Sequence, residues 1–393
     1  MTTSLALRQA AGTLDAASGT LAGRSALLTH DGAALLWAGL SGDAPLVASQ
    51  NLRHYARQLE PEAQQMRLAA GLLEAYAELH ARLEDLEGRA VLALGGTAAT
   101  PLLLALRGIG DGLDWACARS IDALCTGTLP EPPQRLGDFE DLSVDAIHEL
   151  NLVTSSEFVQ ELARANPDIR LLEVSKGRMV AIVPPPGEPV STEPASVTTF
   201  IEGVGSAEPE KWQRTIDRTR QIAQATGGTA VAWAGYAAPP GLAHGVHAEP
   251  AQRAGRDLAR FQRSLRQRYP DARHTVVGYS YGSVVAGSAA TQPEGLAADD
   301  LVLLGSPGAV AENAQDYRLH GHNPQVHALT AKGDPIDAVA SPWGGIHGPD
   351  PTSRGFGARP WPEPVYGDHG AYFSDPRFFA HLGDIARGKT GGA

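Results

Sequence analysis

The stretch HTVVGYSYGSVVAGSAAT, residues 274–291, decides the fold. A β-branched run at Thr275, Val276 and Val277 meets Gly278-Tyr279-Ser280-Tyr281-Gly282, and the small or β-branched residues Val284, Val285, Ala286, Gly287, Ala289 and Ala290 follow at once. Strand, sharp turn and helix in that order are what a G-x-S-x-G nucleophile elbow demands. Ser280 must then hold a strained backbone conformation that lifts its Oγ clear of a sheet, with glycine at 278 and 282 admitting neighbouring backbone. The N–H of Tyr281, at the start of the expected helix, is aimed where an oxyanion would form. The bland alternative is a glycine-rich turn that happens to contain a serine; the strand-turn-helix context favours the chemical reading.

Working outward, strand and helix signals alternate on both sides of the elbow. Upstream come a helix at 156–165, a hairpin of two apolar runs at 170–174 and 179–183, and a strand at 197–201 that leads into Glu202-Gly203-Val204-Gly205-Ser206. A helix with Trp212, Ile216, Thr219 and Ala223 on one face is stopped by Gly227-Gly228. A strand at 229–233, a loop at 236–250 and a helix with Ala254, Leu258, Phe261 and Leu265 complete the approach. Downstream, 301–304 and 326–330 read as buried strands. Such alternation predicts an α/β fold: a mainly parallel sheet with helices on both faces, binding its ligand beyond the carboxyl ends of the strands.

An activated serine needs a base and a group that orients the base. In the architecture that carries this elbow, the acid follows the nucleophile and the histidine comes last. Asp334, in Lys332-Gly333-Asp334-Pro335-Ile336, falls on a turn after the strand at 326–330, with Asp337 as its rival. His369, in Gly367-Asp368-His369-Gly370, is the expected base, with His347 as its rival. Gly203-Val204-Gly205 lacks the full dinucleotide fingerprint and reads instead as the loop that lends a second oxyanion N–H, from Val204. His320-Gly321-His322 has no third ligand at fixed spacing, so neither a metal nor a cofactor is expected.

At 393 residues the chain is long enough for two domains. A net charge of −12 with scattered Lys and Arg argues against nucleic acid. Cys117 and Cys125 lie eight apart on one expected helix, roughly 12 Å along its axis and too far for a disulfide. No secretory signal peptide is legible at the N-terminus, and the most apolar stretch, 91–106, is too short to span a membrane; a soluble protein is expected.

The first 128 residues read as an all-α domain. Leu7, Leu14, Leu21 and Leu28 recur every seven residues with Ala10 and Ala17 interposed, and a break at 36–43 separates them from a second helix carrying Leu52, Tyr55, Leu59, Met66, Ala69, Leu73, Tyr76 and Leu83. Pro61 is expected to kink or restart that helix. Residues 92–126 add further helix, the proline-rich 129–142 read as a linker, and the α/β domain takes 143–393.

Two resemblances arise from these residues. The Trp37-Ala38-Gly39 turn between two Ala- and Leu-rich helices resembles the WXG100-type hairpin of actinobacterial type VII secretion substrates, although Tyr76 is followed four positions on by His80 and not by the Asp or Glu of the export signal. It implies a helical partner or self-association through the hairpin, and leaves both a cytoplasmic location and export by a type VII-like route open. The segments HTVVGYSYGS, ADDLVLLGSPG at 298–308, WAGYAAP at 233–239 and KGDPI resemble an actinobacterial α/β-hydrolase family formerly classed as a domain of unknown function. That resemblance implies a Ser-Asp-His hydrolase. The expectation is a carboxylic-ester hydrolase acting on a small-molecule or lipid ester through an acyl-enzyme. The alternatives are an amidase or peptidase with the same three residues, or a secretion-linked binding module whose hydrolase fold is inert.

Overall fold

The computed structural model describes residues 2–38, 43–94, 100–126, 135–139, 142–175, 177–239, 248–339 and 346–389. The chain divides into two compact units, Met1–Pro132 and Pro133–Ala393.

In the first unit, α1 (Ser4–Trp37) and α2 (Ala44–Leu94) form an antiparallel hairpin, and α3 (Thr100–Thr126) packs against α2. The leucine heptad of α1 is present, but small residues four positions on share its seam: Ala11, Ser18 and Gly32 are buried and Ser25 is half-buried. Ala10, expected to fill an interposed position, is exposed and Ala17 only half-buried. In α2 a strict heptad of small residues, Ser49, Ala56, Ala63, Ala70 and Ala77, is buried, flanked by Leu52, Leu59, Met66 and Leu73; Tyr55 is exposed. Small residues facing one another let the helices approach until side chain meets backbone. The Ser18 hydroxyl donates to the Ala63 carbonyl at 2.7 Å and that of Ser25 to the Ala56 carbonyl at 3.0 Å. At the open end, Ser4 donates through its backbone N–H and its hydroxyl to Glu84. There, Leu7, Ala11, Leu73, Ala77 and Cys117 form one apolar cluster. Contrary to expectation, α2 runs unbroken through Pro61. The proline lies on the exposed face, and seam contacts at Ala56 and Ala63 hold the helix on either side of it. Trp37 is exposed, and Gly39 of the expected turn lies outside the described residues.

In the second unit an eight-stranded sheet has the order β1-β2-β4-β3-β5-β6-β7-β8 among the described residues. The strands are β1 (Arg170–Ser175), β2 (Arg178–Val183), β3 (Ser196–Ile201), β4 (Thr229–Ala234), β5 (Arg273–Tyr279), β6 (Asp300–Leu304), β7 (Gln325–Leu329) and the two-residue β8 (Arg359–Pro360). From β4 to β8 every pairing is parallel; β2 pairs antiparallel with both β1 and β4. Helices α4 (Val144–Thr154) and α5 (Glu157–Ala165) precede the sheet, α6 (Trp212–Thr226) and α7 (Ala248–Arg268) flank β4, and α8 (Tyr281–Ala290) and α9 (Pro376–Ala386) follow.

Alternation along β3 separates the faces. Phe200 packs with Ile222 and Ala223 of α6 and with Phe378, Leu382 and Ile385 of α9, whereas Thr199 points the other way and accepts from Gln262 of α7 at 2.6 Å. With both faces covered, β3, β4 and β6 are buried from end to end; β4 and β6 accordingly read as almost unbroken apolar runs, whereas β3 carries buried hydroxyls at Ser196, Thr198 and Thr199. Of the expected linker, residues 135–139 and 142 are described, and Leu136–Phe139 form a 3-10 turn. Leu136 and Phe139 are buried, the Leu136 N–H donates to Glu173, and Arg268 donates to the carbonyls of Phe139 and Leu142. That part of the join belongs to the second unit.

Candidate active site

β5 ends at Tyr279 and α8 begins at Tyr281, so Ser280 makes the entire turn between them, with φ 54° and ψ −129°. Its N–H donates to the Leu304 carbonyl at 2.8 Å, and its own carbonyl accepts from the Ser283 hydroxyl at 2.6 Å. A Cβ on Gly278 would stand 2.6 Å from the Gly282 carbonyl oxygen, and one on Gly282 would strike the carbonyl oxygen of Ile201. The strained serine is therefore held on all sides, as an elbow requires.

The structure brings three expected residues together. His369 Nε2 stands 2.8 Å from Ser280 Oγ, and Nδ1 of the same ring is 2.8 and 2.9 Å from the two carboxylate oxygens of Asp334. The Asp334 side chain is wholly buried, whereas the imidazole is 31% exposed. Burial pushes the Asp334 carboxyl up, but bonds from His369, from the Tyr372 hydroxyl and from the Ile336 N–H outweigh it and hold the group below its ordinary value. Asp337 is exposed in the 3-10 turn Pro335–Ala338 that Asp334 caps. His347 stands elsewhere on the same cavity, its ring edge-on to Tyr281 at 5.7 Å.

That cavity, about 280 Å³, opens over Ser280 and His369. Val204, Pro307, Pro335, Ile336, Val339 and Ile346 supply its apolar walls, and Tyr281 contributes to the lining. The loop carrying Val204 is tied from behind. The buried Glu202 carboxylate accepts the Gly203 N–H at 3.1 Å and pairs with Arg218 at 2.9 and 3.0 Å, while the Tyr236 hydroxyl donates to the Glu202 carbonyl at 2.8 Å. With the Gly203 N–H engaged, Val204 is the loop residue presented to the cavity.

His320 is exposed, its ring 2.9 Å from the Glu294 carbonyl. Among the described residues no group of three or more His, Cys, Asp or Glu side chains is placed to hold a metal ion. No described helix is long and apolar enough to cross a membrane.

Several residues of the site escape the sequence. Tyr372 donates to Asp334 at 2.7 Å, and Tyr279 donates to the His369 carbonyl at 2.6 Å. Gly305, with φ +50°, lies under the cluster: a Cβ there would come within 3.1 Å of the Asp334 carboxylate, the His369 ring and the Tyr372 hydroxyl. The one signal available in the sequence was a glycine at the Leu304-Gly305-Ser306-Pro307 turn directly after a strand.

Over 95 residues the chain is 39% identical to uncharacterised proteins of Mycobacterium bovis and Mycobacterium tuberculosis. The match takes 23% of this chain and 35% of theirs, so the chain spans about a third of the length of those relatives. Among solved structures, an α/β serine hydrolase without lid from Xanthomonas campestris is similar at 16% identity and a TM-score of 0.34, over 53% of this chain and 88% of that one. The esterase rPPE is similar at 17% identity and a TM-score of 0.34, over 67% and 92%. Likeness that low carries nothing about chemistry. Residues 187–342 match the family model described as alpha/beta hydrolase, and with this sheet order and elbow the second unit has the α/β-hydrolase fold.

Proposed function

We propose that the protein is a serine hydrolase of carboxylic esters, with Ser280 as nucleophile, His369 as general base and acid, and Asp334 as the group that orients the imidazole. The observation that carries this is the unbroken relay Ser280 Oγ, His369 Nε2, His369 Nδ1, Asp334 carboxylate, each link between 2.8 and 2.9 Å. A hydroxyl is activated only where a base is within hydrogen-bond reach and is itself held in one tautomer. Here the buried carboxylate accepts from Nδ1, which leaves Nε2 as the acceptor for the serine proton.

Ser280 Oγ attacks the ester carbonyl carbon as its proton passes to His369 Nε2. The N–H groups of Tyr281 and Val204 stabilise the resulting oxyanion. Collapse of the tetrahedral adduct expels the alcohol, which takes the proton from Nε2. A water then repeats the cycle on the acyl-enzyme. Asp334 stays ionised throughout and stabilises the imidazolium.

The described walls of the cavity carry no Lys or Arg to pair with a charged acyl group. At about 280 Å³ it lies just below the roughly 300–1,000 Å³ typical of ligand pockets, which favours short, uncharged acyl chains. The test is turnover of p-nitrophenyl esters from acetate to laurate, together with labelling by a fluorophosphonate probe. Hydrolysis and labelling should both be lost in Ser280→Ala. Labelling that survives the substitution would remove Ser280 from the role; no turnover of any ester, with the probe also inert, would leave the fold without this activity.

A further inference from the structure

The Asp334 carboxylate is surrounded by donors. Besides His369 Nδ1, its Oδ1 accepts the Ile336 N–H at 2.9 Å and its Oδ2 accepts the Tyr372 hydroxyl at 2.7 Å. Tyr372 is wholly buried, three residues beyond His369 in the 3-10 turn Ala371–Ser374, with its ring edge-on to Tyr279 and Phe378. The direction of its bond is fixed by a third group. The Ala331 N–H donates to the Tyr372 oxygen at 3.0 Å, which occupies it as an acceptor and leaves its own proton for Asp334.

We propose that Tyr372 is a positioning residue of the hydrolytic site, whose hydroxyl clamps Asp334 and moderates how tightly that carboxylate holds the His369 imidazolium. The proposal rests on the serine-hydrolase function above. Burial and the adjacent Asp334 push the Tyr372 hydroxyl well above the ordinary phenol range, so it stays a donor at every pH of interest. A carboxylate that accepts an extra charge-assisted bond has less negative charge to offer the imidazole. The clamp thus does two things: it fixes the plane of Asp334, and it keeps His369 from retaining a proton that must be returned to the leaving alcohol. Tyr372 does not line the cavity, so it acts on the chemical step and leaves substrate binding alone.

Tyr372→Phe removes the donor and keeps the ring. It is expected to lower kcat roughly tenfold, the scale of one charge-assisted hydrogen bond, with KM unchanged. The acid limb of the kcat/KM–pH profile should move to higher pH, because the protonated base persists longer beside an unclamped carboxylate. The opposite variant, 3,5-difluorotyrosine at position 372, retains both hydrogen bonds and strengthens the donor, so the limb should move to lower pH. It also decides the matter should Tyr372→Phe not fold. An acid limb that stays at the wild-type position in both variants, or in the fluorinated one alone if the other is unfolded, overturns the proposal. So does a loss in Tyr372→Phe that merely scales with the folded fraction. One arm is independent of turnover. In a Ser280→Ala background the downfield Nδ1 proton resonance of His369 should shift when Tyr372→Phe is added; an unmoved resonance counts against the clamp whatever the fate of the hydrolase function. If instead hydrolysis proves independent of Ser280 while that resonance moves, the function fails and the clamp stands.

Discussion

The Tyr279 hydroxyl donates to the His369 carbonyl at 2.6 Å, so the last residue of β5 ties down the loop that brings the imidazole to its neighbour Ser280. The two rings also lie 5.0 Å apart, and the Arg218 guanidinium covers the tyrosine from 5.2 Å. Ser280 and the His369 imidazole are thereby fixed through adjoining residues. Tyr279→Phe should keep the packing and release the loop, lowering kcat by roughly tenfold, the scale of one well-made buried hydrogen bond, with little change in KM. Steady-state kinetics on a short-chain ester check this, and an unchanged kcat would show that the loop is held elsewhere.

Asp334 and Asp337 separate cleanly in space, one wholly buried against His369 and the other exposed on the following turn. Asp334→Asn keeps the shape but permits the wrong imidazole tautomer, so kcat is expected to fall by as much as about 10⁴. Asp337→Asn should stay close to wild type. Turnover measured at matched circular dichroism spectra distinguishes them; a crippled Asp337→Asn beside an active Asp334→Asn would reverse the assignment.

The parts of this architecture that repeat were legible. Strand and helix signals alternate along the chain and the elbow has a local pattern, so β3 to β7 and the turn at Ser280 could be placed from sequence. Asp334 and His369 could be placed only by chain order, since each sits on a turn whose neighbours say nothing of its partner. Tyr372 had no signal, because its bond to Asp334 spans 38 positions and a tyrosine among apolar residues reads as core. The hairpin seam was half legible. Leucines at every seventh residue mark a coiled-coil face, but the small residues that set the helix spacing, Ser18, Ser25, Ala56 and Ala63, resemble ordinary helix formers until their backbone contacts are seen.

His274, the second residue of β5, is 1% exposed, and its Nε2 lies 3.0 Å from the Tyr269 carbonyl. Burial, aided by Arg266, lowers its pKa to about 4. As pH falls, the unfolded chain protonates this histidine first, near 6.5, while the folded chain refuses the proton until about 4. The stability is therefore complete above about 6.5 and is lost progressively down to about 4, a total on the order of 3 kcal/mol. His274→Gln should flatten the urea-unfolding free energy of the second unit across that window. A slope equal to wild type would mean that other groups govern the acid limb of stability.

Pro61 stands inside α2 on its exposed face, four residues beyond Arg57. A proline there lacks the N–H that would bond the Arg57 carbonyl, and its ring crowds that carbonyl, a combined cost of up to about 3 kcal/mol in a free helix. The helix nonetheless continues, because the hydroxyls of Ser25 and Ser18 fasten it to α1 through Ala56 and Ala63, one on each side of the proline. If the seam merely bears that cost, Pro61→Ala restores the missing hydrogen bond and removes the crowding without touching α1. The thermal midpoint of the helical unit, followed in the intact protein by far-ultraviolet circular dichroism, should then rise by a few degrees, as expected for a gain on the order of 1 kcal/mol. The alternative is that the proline bends α2 so that both halves stay against α1, in which case straightening the helix would loosen one of the two serine contacts. A midpoint that falls, with faster amide exchange around Ser49 or Ala77 at the ends of the seam, would establish that bend as part of the hairpin's fit.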